Sequence, residues 1–328
     1  MDRNRSFDGL RAVAAYSVVA FHCHHLPFAS AGGWIGVEVF FVLSGYLITG
    51  HLLGEFDRTG GIDLVRFYFR RAGRLWPPLM LMLAAYALVS PFVFPVTNAA
   101  RDVLLAGLYL SDYSVAFWQE PFFLIHTWSL AVEEHFYLVW PLAILVLARL
   151  PRRQAFLILV AFWFLATAWR WSDALIWSDF YRTFYRFDTN LSGLAIGSAG
   201  AFAAFAVARR WAFVAGAALI VIAALAPFYS ASTLTVTPLA VDLLAAVLIS
   251  AMARNSGLLP RQLAYTGEIS YSIYLWHYPI VLVLAGKVSP LPLFIFVSAS
   301  SWLIACASYE LIEKPIRSLG SRRVSPTA

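Results

Sequence analysis

The sequence predicts an all-α fold: a polytopic transmembrane bundle of ten membrane-spanning helices with both termini cytoplasmic. Three observations carry this. Of the 328 residues, 61% are hydrophobic and only 13% are charged, which is too apolar for a soluble domain. Apolar runs close to the ~20 residues that cross a bilayer recur from one end of the chain to the other. The arginines gather in the short connections between those runs, and these connections share one side of the membrane when ten runs cross.

The runs are 10–28, 34–53, 75–94, 128–148, 154–171, 190–208, 211–228, 235–253, 270–286 and 291–312. A basic N-terminus, the first run and Ala29-Ser30-Ala31 imitate a cleaved signal peptide. His22, His24 and His25 interrupt that run where its apolar core should end, and a second run follows at once, so the first is read as retained. Within it Arg11 and His22 are three turns plus about 20° apart, so they share one helix face about 16 Å apart along the axis. An ionisable side chain at membrane depth is costly unless it faces protein or water, which makes the pair a candidate site. The competing readings are a snorkelling anchor for Arg11 and a packing role for His22.

The second run, GVEVFFVLSGYLI, carries Glu38 and a Ser44-Gly45 pair. Small pairs in membrane helices usually mark close packing. Before the third run, FYFRRAGRLWPP sets Arg71 and Arg74 on one helix face. They serve either as positive-inside anchors or as guanidinium forks for phosphate. The stretch 103–118 is apolar in parts but contains Asp112 and is bounded by Arg101, Asp102 and Glu120. If it crossed, Arg149, Arg152 and Arg153 would be inverted, so 95–127 is expected to be an outer-side, re-entrant excursion.

The fourth run opens HTWSLAVEEHFYLVWP, in which His126, Ser129, Glu133 and Tyr137 form one stripe with Glu134 beside it. Two adjacent carboxylates there point to function. The connection 171–188 is rich in aromatics and carries Asp173, Asp179, Arg182, Arg186 and Asp188. It reads as an interface belt or as a platform for sugar. Late in the chain, SYSIYLWHYP places His277 in the ninth run, and YELIEKPIR closes the tenth with Glu310 and Glu313.

Nothing resembles an interdomain linker, so 1–317 is expected to be one domain followed by a short cytoplasmic tail, 318–328. No internal repeat is visible. Cys23 and Cys306 lie in apolar segments and support neither a disulfide framework nor a zinc motif. The net charge of +6 follows from the inner arginines and calls for no nucleic acid. A metal reading of His22, Cys23 and His25 lacks a third ligand at sensible spacing, so no metal is expected. The residues also suit a proton-coupled transporter or flippase for a lipid- or sugar-linked substrate, which would want helix breakers at mid-span.

The combination of RSFDGLRAVAA with a histidine eleven residues after the arginine, GVEVFFVLSGYLI, FRRAGRLWP, HTWSLAVEEHFYLVWP, ISYSIYLWHYP and IEKPIR resembles the acyltransferase-3 family of integral membrane O-acyltransferases. The resemblance implies a multi-pass enzyme of the bacterial cytoplasmic (inner) membrane. It implies acetyl-CoA or another acyl-CoA as cytoplasmic donor, and a carbohydrate, glycolipid or glycoside hydroxyl, reached from the outer side, as acceptor. Membrane lipid is a further partner. The family's Arg-x(10)-His pair falls on Arg11 and His22, its Arg-x-x-Arg pair on Arg71 and Arg74, and its glutamate motif on Glu133 and Glu134. Glu38 departs from the aspartate more usual there. Some relatives carry an appended extracytoplasmic domain that is not seen here, so transfer is expected in the membrane domain itself or on a separate partner.

On this reading His22, Glu133 and Glu134 are catalytic. Arg11, Arg71, Arg74 and His277 hold the donor. Glu38, Ser129, Tyr137, Arg186 and Asp188 serve the acceptor. Counting residues into each run puts His22 about 18 Å, Glu133 about 21 Å and His277 about 10 Å from the inner edge. His277 is therefore expected below His22, along the donor's path.

Overall fold

A long, apolar chain must satisfy its own backbone groups inside a bilayer, and helices do so segment by segment. The computed structural model describes residues 4–23, 26, 31–94, 98–203, 207–255 and 257–316. His24, His25, Ala29, Ser30, the tail arginines Arg317, Arg322 and Arg323 and the segment 318–328 lie outside the described residues. Among the described residues every regular element is helical.

The first helix, α1 (Arg5–His22), starts at Asn4, whose side chain accepts the Ser6 N–H at 2.9 Å. That bond satisfies one of the orphan donors at a helix start. Helix α2 (Ile35–Thr59) stops at Gly60, whose φ of 75° is the left-handed conformation that glycine adopts without cost. Helix α3 (Leu64–Val93) is capped by Asp63 and holds Pro77, Pro78 and Pro91. Two short helices follow, α4 (Ala99–Gly107) and α5 (Ser111–Trp118), then a 3-10 turn over Phe122–Thr127 that leads into α6 (Trp128–Leu147).

The second half consists of α7 (Arg152–Trp177), α8 (Phe180–Tyr185), α9 (Leu191–Phe202), α10 (Arg209–Leu225), α11 (Ala231–Leu234) and α12 (Val236–Arg254). It closes with α13 (Gln262–Glu268), α14 (Ser270–Leu284), α15 (Pro290–Ser308) and a π turn over Tyr309–Glu313.

Among the described residues, six helical stretches are long and apolar enough to cross a membrane: α2, α3, α7, α12, the stretch Phe122–Leu147 and the stretch Pro290–Ile316. They coincide with the second, third, fourth, fifth, eighth and tenth expected runs. The other four runs are occupied by shorter or more polar helices: α1 with 18 residues, α9 with 12, α10 with 17 and α14 with 15. At 1.5 Å per residue, 12 residues reach only about 18 Å. Helix α9 is instead wedged between α2 and α7.

Lipid tails are as apolar as leucine, so membrane helices associate through close approach and polar contacts rather than through the hydrophobic effect. Both devices appear here. A Cβ on Gly45 would lie 2.1 Å from the Leu194 carbonyl oxygen, and one on Gly197 would lie 1.9 Å from that of Val42. Glycine at both positions therefore lets α2 and α9 touch backbone to backbone. The polar device ties α6 to α2, where Trp140 Nε1 donates to Thr49 Oγ1 at 2.8 Å.

Helices α4 and α5 follow the third run as a short hairpin, with α4 packed back along α3. Gly107 packs against Leu83 and Met80, and Tyr86 donates to buried Asp102 at 2.5 Å. The tip holds Tyr109 at a φ of 56°. Such a conformation is uncommon for any residue with a Cβ.

Candidate active site

Helices α1, α2, α3, α6 and α14 surround a cavity in the middle of the bundle. Arg11, Arg71, Arg74, Ser129, Glu133 and Tyr137 all line it, which brings six expected residues together from three helices. Ser44 lines it as well, with Tyr274 on the α14 wall. Along α6 the lining runs from Tyr137 back to Ser129, about 12 Å along the axis.

Several polar groups in this wall have local partners. Arg11 pairs with Asp8 at 3.2 Å on its own helix. The Arg71 guanidinium lies 3.4 Å over the Tyr137 ring, and its Nε stands 3.6 Å from Glu134 Oε1. Ser44 donates to Glu133 Oε1. The Ser44-Gly45 pair expected to serve packing is thus split: Gly45 packs and Ser44 holds a carboxylate.

Arg71 and Arg74 also line a second cavity of about 640 Å³ between the end of α2 and the start of α3. Its other walls include His51, Arg58, Arg66 and Arg70, with Glu55 as the acidic residue among them. Arg66, Arg70 and Arg74 follow at steps of four, a basic stripe along α3. That periodicity was visible in the sequence and marks a wider arginine site than the Arg71–Arg74 pair alone. The two cavities share Arg71 and Arg74.

At the other end of the central cavity, Tyr274 links it to a cluster of histidines. Ser129 Oγ and Tyr274 OH are 2.7 Å apart, and Tyr274 OH donates to the His126 carbonyl at 2.7 Å. The Tyr274 carbonyl receives His277 Nδ1 at 2.6 Å, and His277 Nε2 lies 3.0 Å from His22 Nδ1. A carbonyl can only accept, so His277 carries its hydrogen on Nδ1 and offers the Nε2 lone pair to His22. His22 then carries its hydrogen on Nδ1, which leaves Nε2 as its basic atom. His126 and Tyr278 pack around the pair, with ring centroids 5.6 Å (His126 to His277) and 4.8 Å (Tyr278 to His22) apart.

The placement of His277 corrects the depth count, which set it about 8 Å below His22. The count took α14 as a straight span beginning at the membrane edge. A separate short helix, α13, leads into α14, and His277 comes level with the end of α1. The hydrogen bond shown for His22 is to His277, while Glu133 is held by Ser44 and Glu134 stands against Arg71. His25, which the metal reading named, lies outside the described residues.

Three residues expected on the acceptor side are not part of this wall. Glu38 is 2% exposed and faces Arg170, which is 1% exposed, across 3.5 Å. Arg170 also donates to Asn190 Oδ1 at 2.7 Å and to the carbonyls of Thr189 and Leu234. A buried charge needs such a shell, so Glu38 belongs to a brace joining α2 to α7, α9 and α11. Arg186 and Asp188 pair with each other, and Arg186 also meets Asp173 at 2.9 Å. Trp169 and Tyr113 donate to Asp188 at 2.8 and 3.3 Å, closing a polar cluster before α9.

The chain is 32% identical over 357 residues to the peptidoglycan O-acetyltransferase OatA of Listeria monocytogenes, covering 96% of this chain and 56% of that protein. It is 31% identical to the O-acetyltransferase OatA of Staphylococcus aureus over 95% of this chain and 57% of that protein. It is also 32% identical to the putative peptidoglycan O-acetyltransferase YrhL of Bacillus subtilis, over 97% of this chain and 55% of that protein. The chain thus spans a little over half the length of these relatives. No solved structure matches it. The family model for the acyltransferase domain matches residues 4–310, and the chain belongs to that family.

Proposed function

We propose that this chain is a membrane O-acyltransferase that moves an acetyl group from acyl-coenzyme A to a hydroxyl of a carbohydrate acceptor. The relatives' names make peptidoglycan, or a lipid-linked precursor of it, the first acceptor to test. One observation carries the reading: an arginine-lined cavity shares Arg71 and Arg74 with a second cavity, one wall residue of which, Tyr274, is hydrogen-bonded through its carbonyl to the His277–His22 pair. Guanidinium forks suit the phosphates of coenzyme A. The uncharged pantetheine arm suits the narrower central cavity, with its thioester at the Ser129–Tyr274 end.

In the transfer, His22 Nε2 takes the proton of the acceptor hydroxyl as its oxygen attacks the thioester carbonyl. The C–O bond forms, the C–S bond breaks, and the proton passes to the thiolate. His277 holds the His22 ring in the tautomer that leaves Nε2 able to accept. Ser44 fixes Glu133 in the cavity wall, where its charge balances the arginines around it.

The topology that accompanies this reading has ten spans, with α1, α9, α10 and α14 added to the six long stretches. Both termini then lie on the donor side, in the cytoplasmic membrane of a bacterium. The test is release of free coenzyme A thiol from acetyl-CoA by purified protein in lipid vesicles, with and without a glycan acceptor. Thiol release that needs both acceptor and His22 is the expected result. Release of none, with a folded protein, overturns the reading.

A further inference from the structure

The cavity between the end of α2 and the start of α3 holds more positive charge than a diphosphate needs. Five arginines line it, Arg58, Arg66, Arg70, Arg71 and Arg74, against one carboxylate, Glu55, so four positive charges are left over. Arg66, Arg70 and Arg74 follow one another at steps of four on α3, an arrangement of like charges that costs stability in a helix on its own. Arg70 stands 3.7 Å from Glu55. Among the described residues, Arg58 donates to the Gly54 carbonyl at 2.8 Å, and neither it nor Arg66 makes an ion pair. A diphosphate carries two negative charges, and two guanidinium forks are enough to meet them.

Exposure sorts the five arginines. Arg71 and Arg74 are half-buried and also line the central cavity, while Arg58, Arg66 and Arg70 are exposed and line only the outer one. A donor whose arm enters the central cavity therefore presents its diphosphate to Arg71 and Arg74, and whatever lies beyond the diphosphate to the exposed three. In coenzyme A that is a ribose with a 3′-phosphate, a monoester that adds about 1.5–2 negative charges near pH 7. With it the ligand's charge comes close to the excess in the wall. The spacing agrees as well. The chain of bonds from the 3′-phosphorus to the nearer phosphorus of the diphosphate reaches about 7–8 Å at ordinary bond lengths. The midpoint of Arg66 and Arg70 and that of Arg71 and Arg74 lie about 7 Å apart along α3. A cavity of about 640 Å³ is of the size that takes a whole small ligand.

We infer that Arg58, Arg66 and Arg70 form a recognition site for the 3′-phosphate of coenzyme A, so that the donor is read at its nucleotide end as well as at its diphosphate. The inference rests on the acyl-coenzyme A reading and deepens it. Glu55 has a positioning role here: Oε1 accepts the Asp63 N–H at 2.9 Å, which ties the turn between α2 and α3, and Oε2 stands against Arg70. The site also chooses between classes of donor. An acyl-phosphopantetheine attached to a carrier protein has neither the ribose nor its phosphate, so the three outer arginines favour the free coenzyme.

The experiment is isothermal titration of the protein, in phosphatidylcholine vesicles that offer no anionic headgroup, with coenzyme A and with 3′-dephospho-coenzyme A. The measurement is the ratio of the two dissociation constants, with thermal unfolding of each variant followed alongside. The wild type is expected to bind coenzyme A at least about tenfold more tightly, the scale of one hydrogen bond to a charged group. Arg66→Gln and Arg70→Gln are each expected to remove most of that preference, whereas Arg74→Gln should weaken both ligands and keep it. Arg58→Gln, on the other helix, makes the same test where an α3 variant does not fold. A wild type that binds the two ligands equally overturns the inference and leaves the donor reading standing. Outer-arginine variants that keep the ratio overturn it too, since the 3′-phosphate would then be held elsewhere. A wild type that binds neither ligand and releases no thiol from acetyl-CoA brings down the donor reading itself, and this inference with it.

Discussion

The Arg71 guanidinium carbon lies over the Tyr137 ring, 3.4 Å from its centroid, and Arg71 lines both cavities. This contact helps hold the planar fork in place, which a lysine ammonium cannot copy. Tyr137→Leu should raise the KM for acetyl-CoA about fivefold, in line with about 1 kcal/mol for such a contact. Tyr137→Phe keeps the ring and should stay within about twofold of the wild type. Equal loss in both variants would assign the effect to the hydroxyl instead.

Arg74 sits in the wall of both cavities. If its fork meets phosphate, Arg74→Lys should weaken donor binding even though the positive charge remains. Isothermal titration with coenzyme A measures this directly. Unchanged affinity in a normally inserted variant would reduce Arg74 to an anchor.

The His22–His277 contact makes a graded series. His22→Ala should abolish transfer and leave donor binding largely intact. His277→Ala should slow transfer about a hundredfold, the lower end of what a positioned general base contributes. His277→Gln, which can still accept from His22 Nδ1, should recover part of that loss. Full activity in His277→Ala would show that the tautomer of His22 is set elsewhere.

The Glu38–Arg170 brace should reveal itself in stability rather than turnover. Arg170→Met leaves Glu38 buried without a counter-charge, and breaking such a pair costs about 3–5 kcal/mol. Thermal unfolding in detergent should show a large fall for Arg170→Met and a smaller one for the double variant Arg170→Met with Glu38→Gln. If donor or acceptor KM changes while stability holds, Glu38 serves a substrate after all.

For topology, single cysteines placed beside Arg152 and Arg209 should be shielded from an impermeant reagent added outside. Cysteines beside Glu120 and Asp179 should react. Outside labelling beside Arg152 would break the ten-span arrangement.

Much of this site could be read before any coordinates. Helical periodicity put Ser129, Glu133 and Tyr137 on one stripe and Arg71 and Arg74 on one face, and these relations hold because they are local to a helix. The short hairpin of α4 and α5 was foreshadowed by Asp112 and by the charges around it. Relations between distant helices were not readable in the same way. Glu38 finds Arg170 across 132 positions, and no spacing rule links them. Depth counting failed for His277 because it assumes that each span starts at the membrane edge and runs straight.

The gathering of arginines at one end of the path has an electrical consequence. With a coenzyme A donor as proposed, the negative charges would stay beside Arg66, Arg70 and Arg74 and only an uncharged arm would enter the low-dielectric interior. Carrying each elementary charge through 100 mV involves about 2.3 kcal/mol of work. With those charges left outside the field, the acyl group would travel through the membrane without the donor sensing the voltage across it.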